Sequence, residues 1–127
     1  MRGSEVQSSV RRVLIVEDDA LIAINVEEDV RALGCDEIVV AYHHAQAFSA
    51  IAKFVPELAI LDISLVDGLL DFTIADHLAE KVIPFIFYSG RLASDVPDRH
   101  RNRPFVIKPA TGSTLRYAMM LALSLCD

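Results

Sequence analysis

Short uninterrupted apolar runs alternate with longer stretches of helical period along this chain, and no other feature restricts its fold as strongly. The five runs are Val13-Leu14-Ile15-Val16, Ile38-Val39-Val40-Ala41, Leu58-Ala59-Ile60-Leu61, Pro84-Phe85-Ile86-Phe87-Tyr88 and Phe105-Val106-Ile107. A strand that is apolar at every position is buried on both faces, which requires helices above and below the sheet. Strand and helix in alternation therefore predict an α/β fold, a five-stranded parallel sheet with helices on both faces and right-handed crossovers. Pro84 fits the first position of its run, where it removes no interior ladder bond.

The helices are predicted by spacing and by their ends. From Ala20 the residues Ile22, Val26, Val30 and Leu33 recur on one face. Gly34 suits the C-terminal stop, and Asp19 suits the N-cap. Further helices are expected over 44–54, stopping before Pro56, over 70–81, and from Ser113 onward. Residues 91–103 are expected to be short or irregular, because Pro97 and the block Asp98-Arg99-His100-Arg101-Asn102-Arg103 interrupt any longer helix.

A length of 127 residues is one domain's worth of chain, able to bury a core without staples. Lys and Arg number 12 against 18 Asp and Glu, a net charge of −6 with no basic stripe. Nucleic-acid and anionic-membrane partners are therefore not expected. No apolar run reaches the ~18 residues of a membrane span. Cys35 and Cys126 fit neither a metal spacing nor a disulfide framework, so reduced thiols and a cytoplasmic location are expected. Residues 1–10 read as a flexible polar leader ahead of a folded domain over 11–127.

In open parallel sheets ligands bind beyond the carboxyl ends of the strands. Here the first strand ends at Glu17-Asp18, the third at Asp62, the fourth at Ser89 and the fifth at Lys108. Carboxylates crowded together raise one another's pKa unless a hard cation lies between them, which points to a divalent metal, Mg²⁺ foremost. An ammonium and a hydroxyl at the same crevice supply what a transferring phosphoryl group needs, and a central carboxylate can act as nucleophile. The residues alone thus indicate phosphoryl capture on an aspartate.

The segments Leu14-Ile15-Val16-Glu17-Asp18-Asp19, Leu58-Ala59-Ile60-Leu61-Asp62, Phe87-Tyr88-Ser89-Gly90 and Phe105-Val106-Ile107-Lys108-Pro109, in this order, resemble the receiver domain of two-component response regulators. The resemblance runs from Arg12 almost to the end of the chain. It implies the CheY-like strand order 2-1-3-4-5, with Asp62 as phospho-acceptor, Asp18 as direct Mg²⁺ ligand and Glu17 as the acid that holds the metal through water. It further implies the backbone carbonyl of Ser64 as a third protein ligand and Lys108 as the phosphoryl contact, preceding a cis bond to Pro109. Ser89 stands as the hydroxyl that moves toward the phosphate, and Phe105 occupies the aromatic switch position without a tyrosine's hydroxyl. The implied donor is a sensor histidine kinase or phosphotransfer protein, and the output is a phosphorylation-dependent contact with a downstream protein. Such a single-domain regulator catalyses only its own phosphorylation and dephosphorylation.

Two departures stand out. The loop Ile63-Ser64-Leu65-Val66-Asp67-Gly68 lacks the family's proline. The segment 83–90 resembles an alphaproteobacterial subgroup carrying Phe-Ala-Thr-Gly, with Tyr88 and Ser89 in place of Ala and Thr; in that subgroup the following helix is often shortened.

Outside the crevice, His43, His44, His77 and His100 have no metal-ligand spacing and read as exposed or capping residues. Arg99, Arg101 and Arg103 form a candidate contact for an acidic partner. The last helix is apolar nearly all round, so Leu115, Met119, Met120 and Leu123 are candidates for a homodimer or partner interface. The alternatives are a phosphate sink or a degenerate receiver working independently of phosphorylation. A haloacid-dehalogenase-type phosphatase needs a second acid where Ser64 stands, and a flavin protein needs a Ser/Thr/Gly-rich loop after the first strand.

Overall fold

A computed structural model of the protein describes residues 10–64 and 70–125. Its elements run β1 (Arg12–Val16), α1 (Ala20–Ala32), β2 (Glu37–Ala41), α2 (His44–Lys53), β3 (Leu58–Leu61), α3 (Thr73–Glu80), β4 (Phe85–Ser89), β5 (Phe105–Ile107) and α4 (Gly112–Leu125). All neighbouring strands pair in parallel, in the order β2-β1-β3-β4-β5. The expected fold and strand order are those observed.

The period of two along each strand divides the core into two layers. Leu14, Val16, Ala59, Leu61, Phe85 and Phe87 point to one side, where Ala47 and Ile51 of α2 and Ile74, Ala75 and Leu78 of α3 cover them. Val13, Ile15, Leu58, Ile60, Ile86, Tyr88 and Val106 point to the other, beneath Val26 and Val30 of α1 and Leu115, Ala118, Met119 and Ala122 of α4. Val10, in the stretch expected as leader, is also buried in this second layer. The leader residues 1–9, the loop positions 65–69 and Cys126 lie outside the described residues.

Local chemistry accounts for the helix ends. Asp19 caps α1 by accepting from the amides of Leu21 and Ile22, and Gly34 follows α1 at φ +100, a conformation that disfavours any Cβ. His43 caps α2 through Nδ1, which accepts from the Gln46 amide. α3 begins at Thr73 rather than 70. Asp71 accepts from both the amide and the hydroxyl of Thr73, at 2.8 and 2.6 Å, while its own amide donates to the carbonyl of Ile63.

Residues 91–103 hold two single-turn 3-10 segments, Ala93–Asp95 and Asp98–His100. The expectation of a short, irregular segment is met, but its histidine is misread. His100 is only 2% exposed, its ring enclosed by Phe72, Phe85 and Phe87 with centroids 6.4, 5.6 and 6.2 Å away. The short 3-10 turn drives the imidazole inward against the aromatic layer, and its Nε2 lies 2.7 Å from the Asp76 carboxylate. Among the described residues no helix is long and apolar enough to cross a membrane.

Candidate functional site

Strand register brings the polar strand ends together. Val16 pairs with Leu61, so Glu17 and Asp62 each extend one residue beyond a matched pair; Ser89 pairs with Ile107, so Lys108 leaves β5 beside the end of β4. Backbone bonds fix these exits: the Asp62 amide donates to Val16, that of Glu17 to Ala41, and that of Lys108 to Ser89.

Lys108 lies between two buried acids. Its Nζ stands 2.5 Å from Glu17 Oε1 and donates to Asp62 Oδ2 at 2.9 Å. The other Asp62 oxygen, Oδ1, accepts from the amide and hydroxyl of Ser64 at 3.1 and 3.2 Å. Glu17 Oε2 accepts from the Asp19 amide, which ties this acid to the cap of α1. Ser89 is fully buried. Its Oγ accepts from the Arg91 amide at 3.1 Å.

The two acids titrate differently. Burial pushes Glu17 up, its bonds to Lys108 and the Asp19 amide offset only part of this, and the neighbouring Asp62 charge adds to the rise, leaving it at about 7. Burial also pushes Asp62 upward, but hydrogen bonds from Lys108 and the Ser64 amide together with the lysine charge outweigh it, so Asp62 stays below the usual carboxylate range. Lys108 is disfavoured as an ammonium by burial and held above its ordinary value by its bonds to both acids. The surrounding partners thus favour the ionised form of Asp62 more than that of Glu17.

Glu17, Asp18 and Asp62 each offer a carboxylate oxygen within 4.8 Å of the others, with Asp18 exposed and the other two buried. Oxygen-only donors at this spacing, one facing solvent, fit a small hard divalent cation that retains part of its water shell. Their excess of negative charge over the single ammonium fits it as well.

The structure thus brings together Glu17, Asp18, Asp62, Ser64, Ser89 and Lys108. Phe105 lies at the rim, half-buried, with its ring 6.0 Å from Phe87. The interface candidates separate into groups. Leu115 and Met119 are buried under the sheet, since the helical period turns them inward; Met120 is exposed and Leu123 half-buried, and Tyr117 and Leu121 add to the exposed apolar surface. Arg99 forms a two-pronged pair with Asp76, Arg101 Nε donates to the carbonyl of Val96, and the Arg103 guanidinium lies 4.3 Å over the Phe85 ring. These arginines already have partners within the domain.

Sequence reasoning passed over Tyr88 except as a departure from a motif. Alternation along β4 sets it opposite Phe87, facing α1 and α4, and its hydroxyl accepts from the amide of Ala110 at 3.3 Å. The signal was available as a large polar-tipped aromatic one residue before a strand-end serine.

Fold and crevice together define a doubly wound α/β domain with an acid cluster and a lysine at the carboxyl edge of its sheet. No protein-family model and no curated protein matches the sequence. Solved structures do. SdrG from Sphingomonas melonis Fr1 is 31% identical over 91% of this chain and 98% of its own, at a TM-score of 0.80. The PhyR response regulator REC domain of Erythrobacter litoralis is 34% identical over 91% of each chain, at 0.76. The BeF3-activated conformation of SdrG from Pseudomonas melonis Fr1 is 33% identical over 88% of this chain and 95% of its own, at 0.74. The chain belongs to the response regulator receiver domains, and its neighbours fit the PhyR-like subgroup.

Proposed function

We propose that this receiver accepts a phosphoryl group on Asp62 from the phosphohistidine of a sensor kinase or phosphotransfer protein, with Mg²⁺, and signals through altered protein contacts. The observation that carries the reading is the buried Asp62 carboxylate, held by Lys108 and Ser64 beside two further acids. In the transfer, an Asp62 oxygen attacks phosphorus in line and the phosphorus–nitrogen bond breaks. The imidazole leaves and takes a proton from solvent. Lys108, released from Asp62 Oδ2, turns its ammonium to the incoming phosphoryl oxygens. Glu17, Asp18, Asp62 and the Ser64 carbonyl would hold Mg²⁺, which would supply charge neutralisation of those oxygens. The Ser89 hydroxyl follows the phosphoryl group, and Phe105 repacks against Phe87, shifting a pre-existing equilibrium of the adjoining surface. Exposed Tyr117, Met120 and Leu121 of α4 then offer an apolar surface for a downstream protein or a second copy.

That a receiver 33% identical has a BeF3-activated conformation supports this reading. The intact acid cluster and lysine favour it over a degenerate receiver. The test is acid-labile phosphate incorporation from purified phosphorylated kinases. Asp62→Asn is expected to abolish it, and persistence of labelling in that variant would falsify the assignment.

A further inference from the structure

We propose that Tyr88 is a positioning residue for Lys108, holding the lysine and its loop so that the ammonium is aimed at Asp62. The inference rests on the phosphoryl-accepting role of Asp62 and concerns how the same site is kept in order.

A lysine side chain has many rotamers, so one on a loop at a solvent-facing crevice needs restraint to keep a single direction. Carboxylates restrain Lys108 on one side, where Nζ meets Glu17 and Asp62. On another side lies an open cleft of about 260 Å³ lined by Ile22, Asn25, Tyr88, Lys108 and Pro109. The Tyr88 ring is the aromatic surface of that cleft, with Lys108 Nζ 5.8 Å from its centroid, within the range of a cation–π contact.

The same side chain also holds the backbone. Tyr88 is 9% exposed, and its hydroxyl accepts from the Ala110 amide at 3.3 Å, joining positions 22 residues apart. One residue on, the Ser89 carbonyl accepts from the Lys108 amide at 2.9 Å. Two successive residues of β4 thus hold the chain on both sides of Pro109, one through the main chain and one through a side chain. The small residue that the resembling subgroup carries at this position has neither a ring face nor a hydroxyl. The contact leaves Lys108 free to donate, because a π face attracts the ammonium without taking one of its directed hydrogen bonds. It therefore survives when the lysine exchanges Asp62 Oδ2 for a phosphoryl oxygen.

The test compares Tyr88→Leu, which keeps apolar bulk in the layer, with Tyr88→Phe, which keeps the ring and loses the hydroxyl. Labelling by a small acyl phosphate is measured across donor concentration in Mg²⁺, with circular dichroism and thermal melting on the same samples. A misplaced ammonium lowers the rate constant at saturating donor, by about tenfold for Tyr88→Leu and about threefold for Tyr88→Phe, and leaves the half-saturating concentration in place. A merely structural role lowers the melting temperature and leaves the rate constant of the folded protein unchanged. Folded Tyr88→Leu that labels at the unmodified rate overturns the proposal, as does a change confined to the half-saturating concentration. Should Tyr88→Leu not fold, an unchanged rate in Tyr88→Phe overturns it. Failure of the unmodified protein to label overturns the role of Asp62 as well, whereas labelling that ignores Tyr88 overturns this inference alone.

Discussion

At the strand ends two buried acids, Glu17 and Asp62, share the single ammonium of Lys108, with a third acid, Asp18, beside them. On the flank the proportions are reversed: one carboxylate, Asp76, is held by Arg99 at 2.7 and 3.1 Å and by His100 at 2.7 Å. In the first cluster one ammonium serves two acids, and burial foremost, with a small addition from the Asp62 charge, raises Glu17 to about 7. The second is compensated: Arg99 foremost, with His100 and against a small burial cost, keeps Asp76 below its ordinary value. An undercompensated cluster at a solvent-facing edge has the donor set a hard cation could use. A compensated one fastens the irregular 91–103 segment onto α3 and asks for no ligand.

Substitutions sharpen this contrast. The largest stability effect is expected from His100→Ala, which empties a site walled by Phe72, Phe85 and Phe87 and removes the bond to Asp76; a loss on the order of 3 kcal/mol in urea unfolding is expected. His100→Phe, which refills the site, should recover most of it. A loss well under half that size would show that the 3-10 segment does not depend on its histidine.

Neutralising one acid should act in opposite directions at the two clusters. Glu17→Gln is expected to stabilise the metal-free protein on the order of 1 kcal/mol at neutral pH, by relieving the burial cost of an acid that must share its one counter-charge, Lys108, with Asp62. Asp76→Asn is expected to destabilise it. Equal signs in paired denaturation curves would break the comparison.

The pH dependences should differ in the same way. The folded state holds the Glu17 proton more tightly than the unfolded chain does, so metal-free stability should fall as pH rises from about 4.5 to about 7 and level off above. Glu17→Gln should flatten that slope. Asp76, depressed when folded, contributes stability above its ordinary value of 3.8 that is lost as pH falls through the lower folded value. Thermal melting from acid to neutral pH, without divalent ions, reads both. The smallest effect belongs to Arg99→Ala, an exposed pair screened by water and salt, for which little change in melting is expected.

The sheet and the crevice were legible for one reason: both are written in short local patterns. An all-apolar run declares a doubly buried strand, and the first polar residue after it declares what stands at the sheet edge. Asp62, Lys108 and Ser89 were found that way. The resemblance then supplied the strand order, which local pattern does not contain. His100 was not legible, because nothing within a few residues of it announces that phenylalanines from β4 and from the residue preceding α3 converge on its ring. α4 was half legible. Its apolar surplus was evident, but which residues faced the sheet depended on helix phase, and Leu115 and Met119 proved to be core. The start of α3 depended on Asp71, whose capping of Thr73 overrides the apolar period from Leu70.

The most direct test of the central claim is intact mass spectrometry of the unmodified protein after incubation with a small acyl phosphate, with and without Mg²⁺, followed by borohydride trapping and peptide mapping. One added phosphoryl group per chain is expected, present only with Mg²⁺ and mapped to Asp62. Labelling that persists without divalent metal, or that maps to another residue, would contradict it.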